Sequence, residues 1–199
     1  SHLRAGALQA EQFMPQWRRW NAATPDSPNN GWQRILPATR IYRSDDEIDP
    51  MNGGAALHTV TSCDLARPAQ MRCESSAVLA PPGRVFYVSA GSVYVWATEW
   101  QRRSVAAPMP RSAVFRLPLD GALPSMLKTT GAPIDQMSFL EDEGGHLNVL
   151  LRAHARGDGM WNAERGAGDL ALLRVPLSTF GDGADSAPRG AYRPLPSMP

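Results

Sequence analysis

Two stretches of this chain repeat each other in order and in spacing. Ser92-Val93-Tyr94-Val95 corresponds to His146-Leu147-Asn148-Val149 at an offset of 54 residues. Phe115-Arg116-Leu117-Pro118-Leu119 corresponds to Leu173-Arg174-Val175-Pro176-Leu177 at an offset of 58. Each copy reads as a tight hairpin, a loop of variable length, and a strand patterned apolar-Arg-apolar-Pro-Leu. The hairpin turns are Ala90-Gly91-Ser92 and the stretch from Glu141 to Gly145, where glycines are free to take positive φ. A hairpin followed by a returning strand suits a four-stranded antiparallel unit of roughly 40 to 50 residues plus insertions.

From Trp32 onward the apolar residues alternate or run in short blocks bounded by Gly, Pro, Asp and Ser, the pattern of many short strands. The expected strands are Arg34 to Ile41, Leu57 to Leu65, Ser76 to Leu79, Val85 to Ser89, Val93 to Thr98, Ser112 to Leu119, Ser125 to Thr129, Gln136 to Leu140, Leu147 to Ala153 and Asp169 to Pro176. The class is therefore all-β, and the period points to blades of a β-propeller before a sandwich. Ten strands make about two and a half to three blades, whereas a closed ring typically needs at least four. Open strand edges then need covering by another copy, another chain or the proline-rich termini, with association preferred.

The first thirty residues read differently. Ala5 to Trp20 lacks strand alternation and spaces Leu8, Phe13, Trp17 and Trp20 near a helical period, with Pro15 limiting any helix. Trp17 and Trp20 with Arg18 and Arg19 make either a core contact, the favoured reading, or an aromatic-basic surface. The organisation expected is an N-terminal helix or loop segment over 1–31 and propeller blades over 32–199, a single domain and a piece of a longer polypeptide.

Composition excludes some functions. The 20 basic residues nearly balance the 19 acidic ones, so no overall field favours nucleic acid or an anionic membrane. No run approaches the roughly 18 apolar residues that a membrane helix needs, and the start, Ser1-His2-Leu3-Arg4, carries no continuous apolar stretch of the signal-peptide kind. At this length about 70% of the unfolded surface can be buried, so folding requires no metal.

The order Val85-Phe86-Tyr87-Val88-Ser89, Ser92-Val93-Tyr94-Val95-Trp96-Ala97, Val114-Phe115-Arg116-Leu117-Pro118-Leu119-Asp120-Gly121, then Gln136-Met137-Ser138-Phe139-Leu140-Glu141-Asp142-Glu143-Gly144-Gly145-His146-Leu147 resembles a known family. It is similar to the secreted prokaryotic β-propellers distantly related to WD40 repeats, over about residues 57 to 177. The resemblance implies a secreted, periplasmic or cell-envelope protein, often attached to a cell-surface protein, with no catalytic residues to carry over.

Cys63 and Cys73 are the only cysteines, with nine residues between them including Pro68, a span that a hairpin-like loop closes. Two unrelated thiols would be the cytosolic reading; the exported compartment implied by the resemblance favours a disulfide. Catalytic motifs are missing: there is no Gly-x-Ser-x-Gly elbow, no His-Glu-x-x-His and no Cys-x-x-Cys, and His58, His146 and His154 are scattered. Asp45-Asp46-Glu47-Ile48-Asp49 and Glu141-Asp142-Glu143 are hard-cation candidates that also read as solvated turns, the favoured alternative. The glycine-rich insertion from Arg156 to Gly168 is a candidate binding loop through Arg156, Asp158 and Trp161, unless Trp161 simply caps the blade.

The function expected from these readings is an extracytoplasmic propeller that binds a protein or cell-surface partner, with no cofactor and no nucleic acid. A homo-oligomer or the rest of a larger propeller would complete it. The alternative is a metal-assisted hydrolase whose site is completed by blades outside this chain.

Overall fold

The computed structural model describes residues 14–18, 23, 31–43, 55–66, 71–98, 111–156 and 165–196. Among them the chain is predominantly β, and its strands lie in four sheets, none of which closes on itself. The strands are β1 (Gln16–Trp17), β2 (Gln33–Arg34), β3 (Ile41–Arg43), β4 (Ala56–Asp64), β5 (Arg72–Ala80), β6 (Gly83–Val88), β7 (Ser92–Thr98), β8 (Arg111–Pro118), β9 (Ser125–Thr130), β10 (Phe139–Glu141), β11 (His146–Arg156), β12 (Arg165–Pro176), β13 (Asp182–Ser186) and β14 (Tyr192–Pro194). They divide between two compact units, Ser1–Ile41 with Thr59–Ala77 and Tyr42–His58 with Val78–Pro199.

In the first unit, β1 and β2 pair antiparallel, with Gln16 opposite Arg34 and Trp17 opposite Gln33. Ile35 N–H extends this ladder to the Pro15 carbonyl at 3.1 Å. The helix expected over 5–20 is thus replaced, in the residues described there, by extended chain; Pro15 cannot donate inside a helix, but as an acceptor it serves a sheet edge. Arg18 stacks its guanidinium over the Trp32 ring at 5.0 Å. The strand expected from Arg34 to Ile41 is also interrupted. Pro37 has no N–H for a ladder, and its carbonyl accepts instead from Arg40 N–H, closing a 3-10 turn over Ala38–Arg40. The β4 and β5 parts of this unit are joined by the Cys63–Cys73 disulfide, with Cα atoms 4.1 Å apart, and by a 2.7 Å hydrogen bond between the Thr61 and Ser75 hydroxyls. The bridge expected from the sequence is therefore formed.

The second unit carries the repeat. β6, β7, β8 and β9 form an antiparallel meander, extended by β13 alongside β9 in parallel, and β10, β11, β12 and β14 form a four-stranded antiparallel sheet. The offsets read from the sequence are preserved in the pairing. Ser92 faces Pro118, Val93 faces Leu117 and Tyr94 faces Arg116; correspondingly His146 faces Pro176, Leu147 faces Val175 and Asn148 faces Arg174. Even the bond that follows each pair recurs, Leu119 N–H to the Gly91 carbonyl and Leu177 N–H to the Gly145 carbonyl, both at 2.9 Å.

Because side chains alternate along a strand, register decides which face each residue occupies. Val85, Tyr94, Trp96, Val114 and Leu127 from the five-stranded sheet meet Phe139, Leu147, Val149, Leu151, Leu173 and Val175 from the four-stranded sheet in one core. Burying a side chain of this size contributes about 1.5 to 3 kcal/mol. Tyr87 stacks on Phe139 at 5.5 Å, and Trp96 meets the same ring edge-on at 6.1 Å. The opposite face of the five-stranded sheet, with Val93, Val95, Phe115 and Leu117, is also buried.

Far from the hairpin turns the two sheets are bonded directly. Ala132 and Arg152 exchange both backbone hydrogen bonds at 2.9 Å, an isolated bridge between one sheet's exit and the other's β11. Gly131 makes that approach possible: its φ is +76°, and a Cβ there would lie 2.8 Å from the Arg152 carbonyl oxygen.

The C-terminal segment covers two edges that the sequence left open. β13 runs parallel to β9, anchored by Met126 N–H to the Gly181 carbonyl at 2.8 Å and Ala187 N–H to the Lys128 carbonyl at 2.8 Å. β14 pairs antiparallel with β12, and the Tyr192 hydroxyl accepts from Thr130 N–H at 3.1 Å. Both strands lie beyond the ten expected. Gln136 to Ser138, expected as strand, is a 3-10 turn capped by Asp135, whose carboxylate accepts from Ser138 N–H at 3.0 Å.

Candidate functional site at the hairpin turns

The β6–β7 and β10–β11 turns lie together at one end of the stacked sheets, where a hydrogen bond joins Ser89 to Glu141. In the first turn Ser89 Oγ accepts from Ser92 N–H at 3.0 Å and from Gly91 N–H at 3.3 Å. This side-chain cap fixes the turn without a left-handed residue, so Gly91 does not use the positive φ expected of it. In the second turn Gly145 does, at +73°, and Asp142 Oδ1 plays the part of Ser89, accepting from His146 N–H at 3.0 Å.

Glu141 ends β10 and carries its carboxylate across to the other sheet. Its Oε2 accepts from the Tyr94 hydroxyl and from Ser89 Oγ, both at 2.6 Å. Burial, then the bond to Glu141 and the negative charge of that carboxylate, raise the Tyr94 phenol well above its ordinary range. Arg116 Nε donates to the buried Ser92 Oγ at 3.0 Å on the same face. The result is a clamp in which a carboxylate from one sheet is held by two hydroxyl donors of the other.

One residue further along, Asp142 organises a second cluster. Its Oδ2 accepts from Asn148 Nδ2 at 3.0 Å and pairs with Arg174 Nη1, which also donates to Asn148 Oδ1 at 2.8 Å. The Asn148 bond, with the His146 N–H and the Arg174 charge, lowers the carboxyl to about 2. His146 Nδ1 stands 3.6 Å from Asp142 Oδ1, too long for a hydrogen bond, and is buried without a partner.

Chemically, these groups hold one another. Ser89 directs its proton at a carboxylate and Tyr94 keeps its own. The described residues contain no chain of nucleophile, imidazole base and orienting acid, and no group of three His, Cys, Asp or Glu side chains placed to hold an ion. Of the acidic stretches read as cation candidates or solvated turns, 141–143 supplies these acceptors, and 45–49 lies outside the described residues. His58 is buried in the second unit with Nε2 2.9 Å from the Pro81 carbonyl, and burial lowers its pKa.

The candidate binding loop lies at the other end. Arg156 closes β11 opposite Arg165 of β12, so 157–164 is the connection of that hairpin; Asp158 and Trp161 lie outside the described residues. Its counterpart in the first copy is 99–110, between Thr98 and Arg111, a connection that carries Trp100. Sequence reasoning singled out the second connection alone, although aligning the repeats would have found the first. It also missed Tyr94, Arg116 and Arg174, whose signal was the register itself: each Arg stands opposite Tyr94 or Asn148 on one face. No helix of the described residues is long and apolar enough to cross a membrane. No family model, curated protein or solved structure matches the chain.

Proposed function

We propose that this chain is an extracytoplasmic interaction module built from β-propeller-type blades, of the kind found in secreted prokaryotic propellers distantly related to WD40 repeats. The observation that carries the reading is the repeat: two hairpin-plus-strand units in the same register, stacked in the same sense, each with a longer connection at the end away from its tight turn. Rigid strands presenting long connections at one end are a common scaffold for recognition. The contact loop of this reading is Arg156 to Gly168, with Asp158 and Trp161, and 99–110 is its counterpart. The Cys63–Cys73 bridge supports an oxidising compartment, and a protein or cell-surface component is the proposed partner, with the rest of a larger propeller completing the ring.

Two measurements test it. Intact-mass analysis with thiol alkylation, on protein from native cell-envelope or secreted fractions, is expected to find no free thiol; two free thiols would remove the extracytoplasmic half of the reading. Chromogenic ester, phosphomonoester and peptide substrates, each supplied with zinc, manganese or calcium, are expected to give no turnover above buffer. Turnover abolished by a chelator would replace the module with a metal-assisted hydrolase.

A further inference from the structure

The aromatic-basic stretch at Trp17 and Arg18 lies outside the repeat, and the register of the first unit's two-stranded ribbon decides what it builds. With Gln16 opposite Arg34 and Trp17 opposite Gln33, one further step sets Arg18 against Trp32, and the guanidinium lies 5.0 Å from that ring's centroid. Side chains alternate along a strand, so Gln16, Arg18, Trp32 and Arg34 share one face. Trp17 turns to the other, where it is partly buried. The ring of the aromatic-basic surface is therefore Trp32, which is 55% exposed.

Arg18 is held by a ring and not by an acid. No carboxylate of the described residues bonds to it, and neither 14–18 nor 31–40 contains Asp or Glu. A guanidinium laid on a ring by its face keeps its N–H donors at the rim, as a fork pre-organised for a planar carboxylate. Exposed Arg34 adds a second positive charge two residues from Trp32 on the same face. Trp and Arg are also among the side chains most enriched where contacts carry binding energy.

What this face takes follows from its charge and its ring. Cations with no acid beside them favour an anion. Nucleic acid is matched by a basic track along successive phosphates, whereas the 20 basic residues of this chain are offset by 19 acidic ones. An acidic glycan asks for less: one carboxylate meets the Arg18 fork, and the apolar face of a sugar ring covers the part of the indole that Arg18 leaves open. We infer that the Trp32 face of the β1–β2 ribbon binds a uronate-bearing polysaccharide of a cell surface, with Arg18 taking the carboxylate and Trp32 the sugar ring. The choice of a cell-surface glycan rests on the extracytoplasmic reading. A contact through so few side chains is weak for a single chain segment, in the high-micromolar to millimolar range, and salt weakens it further.

Affinity electrophoresis of the full chain, in native gels cast with polygalacturonate or with neutral dextran, tests it in a regime suited to weak binding, with single-stranded oligothymidine as the competing polyanion. The expected result is retardation by polygalacturonate alone, reduced by added salt. Arg18→Ala and Trp32→Ala are each expected to raise the dissociation constant by about ten-fold, as for the loss of a hydrogen bond to a charged group or of the platform that aims it. Arg18→Lys keeps the charge and every ring but not the fork, so it stays impaired and gives the same reading should Trp32→Ala fail to fold. Arg193→Ala, at an exposed position of β14 in the second unit, should leave the retardation unchanged. No retardation of the wild type, equal retardation by dextran, tighter binding of oligothymidine, or a polygalacturonate effect indifferent to the Arg18 and Trp32 variants overturns the inference. None of these results touches the module reading, which the thiol and turnover measurements decide.

Discussion

Trp96 and Leu150 occupy the same position of the same repeat, yet Trp96 is fully buried and Leu150 only partly so. Their strands have the same register and the same neighbours in sequence order. The difference is what packs on them: Trp96 lies in the core shared by the two sheets, with the Phe139 ring edge-on at 6.1 Å, whereas Leu150 stands outside that core. Local sequence determines the sheet and its faces, and stacking determines how much each face contributes. The clearest way to break this comparison is a matched pair of truncations. Trp96→Ala is expected to cost about 3 to 5 kcal/mol and Leu150→Ala about 1 kcal/mol in urea unfolding of the second unit, because a cavity forms only where packing is complete on both sides. Equal costs would mean that the two faces are equally covered.

The next effect concerns how the first face is locked in place. Gly131→Ala puts a methyl group 2.8 Å from the Arg152 carbonyl oxygen at a φ of +76°, so the Ala132–Arg152 bridge must shift. The Gly131 carbonyl also accepts from Ser112 Oγ at 2.7 Å and Trp96 Nε1 at 3.3 Å, and both bonds are strained by the same movement. A loss of about 2 kcal/mol is expected, accompanied by faster amide exchange at Ala132 and Arg152. An unchanged exchange pattern would show that the sheets do not depend on this bridge.

A smaller effect separates Tyr94 from Asn148, another equivalent pair. Tyr94→Phe removes one of the two hydroxyl donors to Glu141 and is expected to cost about 1.5 kcal/mol, as for a hydrogen bond to a charged group. The pH dependence has a definite sign. The phenol is raised in the folded state, so its contribution is complete below the ordinary value of 10.0 and is lost as pH climbs above it. Wild-type protein should therefore lose stability above about pH 10 more steeply than Tyr94→Phe. Parallel curves would place the Tyr94 proton outside the clamp.

Much of this was legible in advance, for identifiable reasons. β7, β8, β11 and β12 are rich in β-branched, aromatic and leucine side chains with turns between them, and the two offsets gave their registers directly. β13 and β14 were not legible, because Asp182-Gly183-Ala184-Asp185-Ser186 and Tyr192-Arg193-Pro194 have no alternation; they are strands because unpaired edges recruit them. Pro37 and Asp135 broke two expected strands through backbone chemistry that outweighs hydrophobic pattern. At the turns, Glu141 and Asp142 were visible as an acidic stretch, but their acceptor roles depend on partners as many as 52 residues away, which no local pattern encodes.

The smallest expected effect is also the one that best separates the two turns. Glu141 reaches across to the neighbouring sheet, whereas Asp142 is satisfied within its own sheet by Asn148, His146 N–H and Arg174. Its carboxyl is lowered to about 2 from 3.8, so the charged form is favoured by folding. A depressed carboxyl contributes above its unfolded value, and that contribution disappears as pH falls from about 4 through about 2. Carboxyl-carbon NMR titration should show Asp142 still ionised at pH 3, and Asn148→Ala should move its midpoint up toward the ordinary range. Because the cluster lies at the surface, the accompanying change in unfolding free energy is expected to be slight and weakened by salt. A midpoint unaffected by Asn148→Ala would mean that Arg174 alone holds the charge, and the turn would then be an ion pair rather than a bonded network.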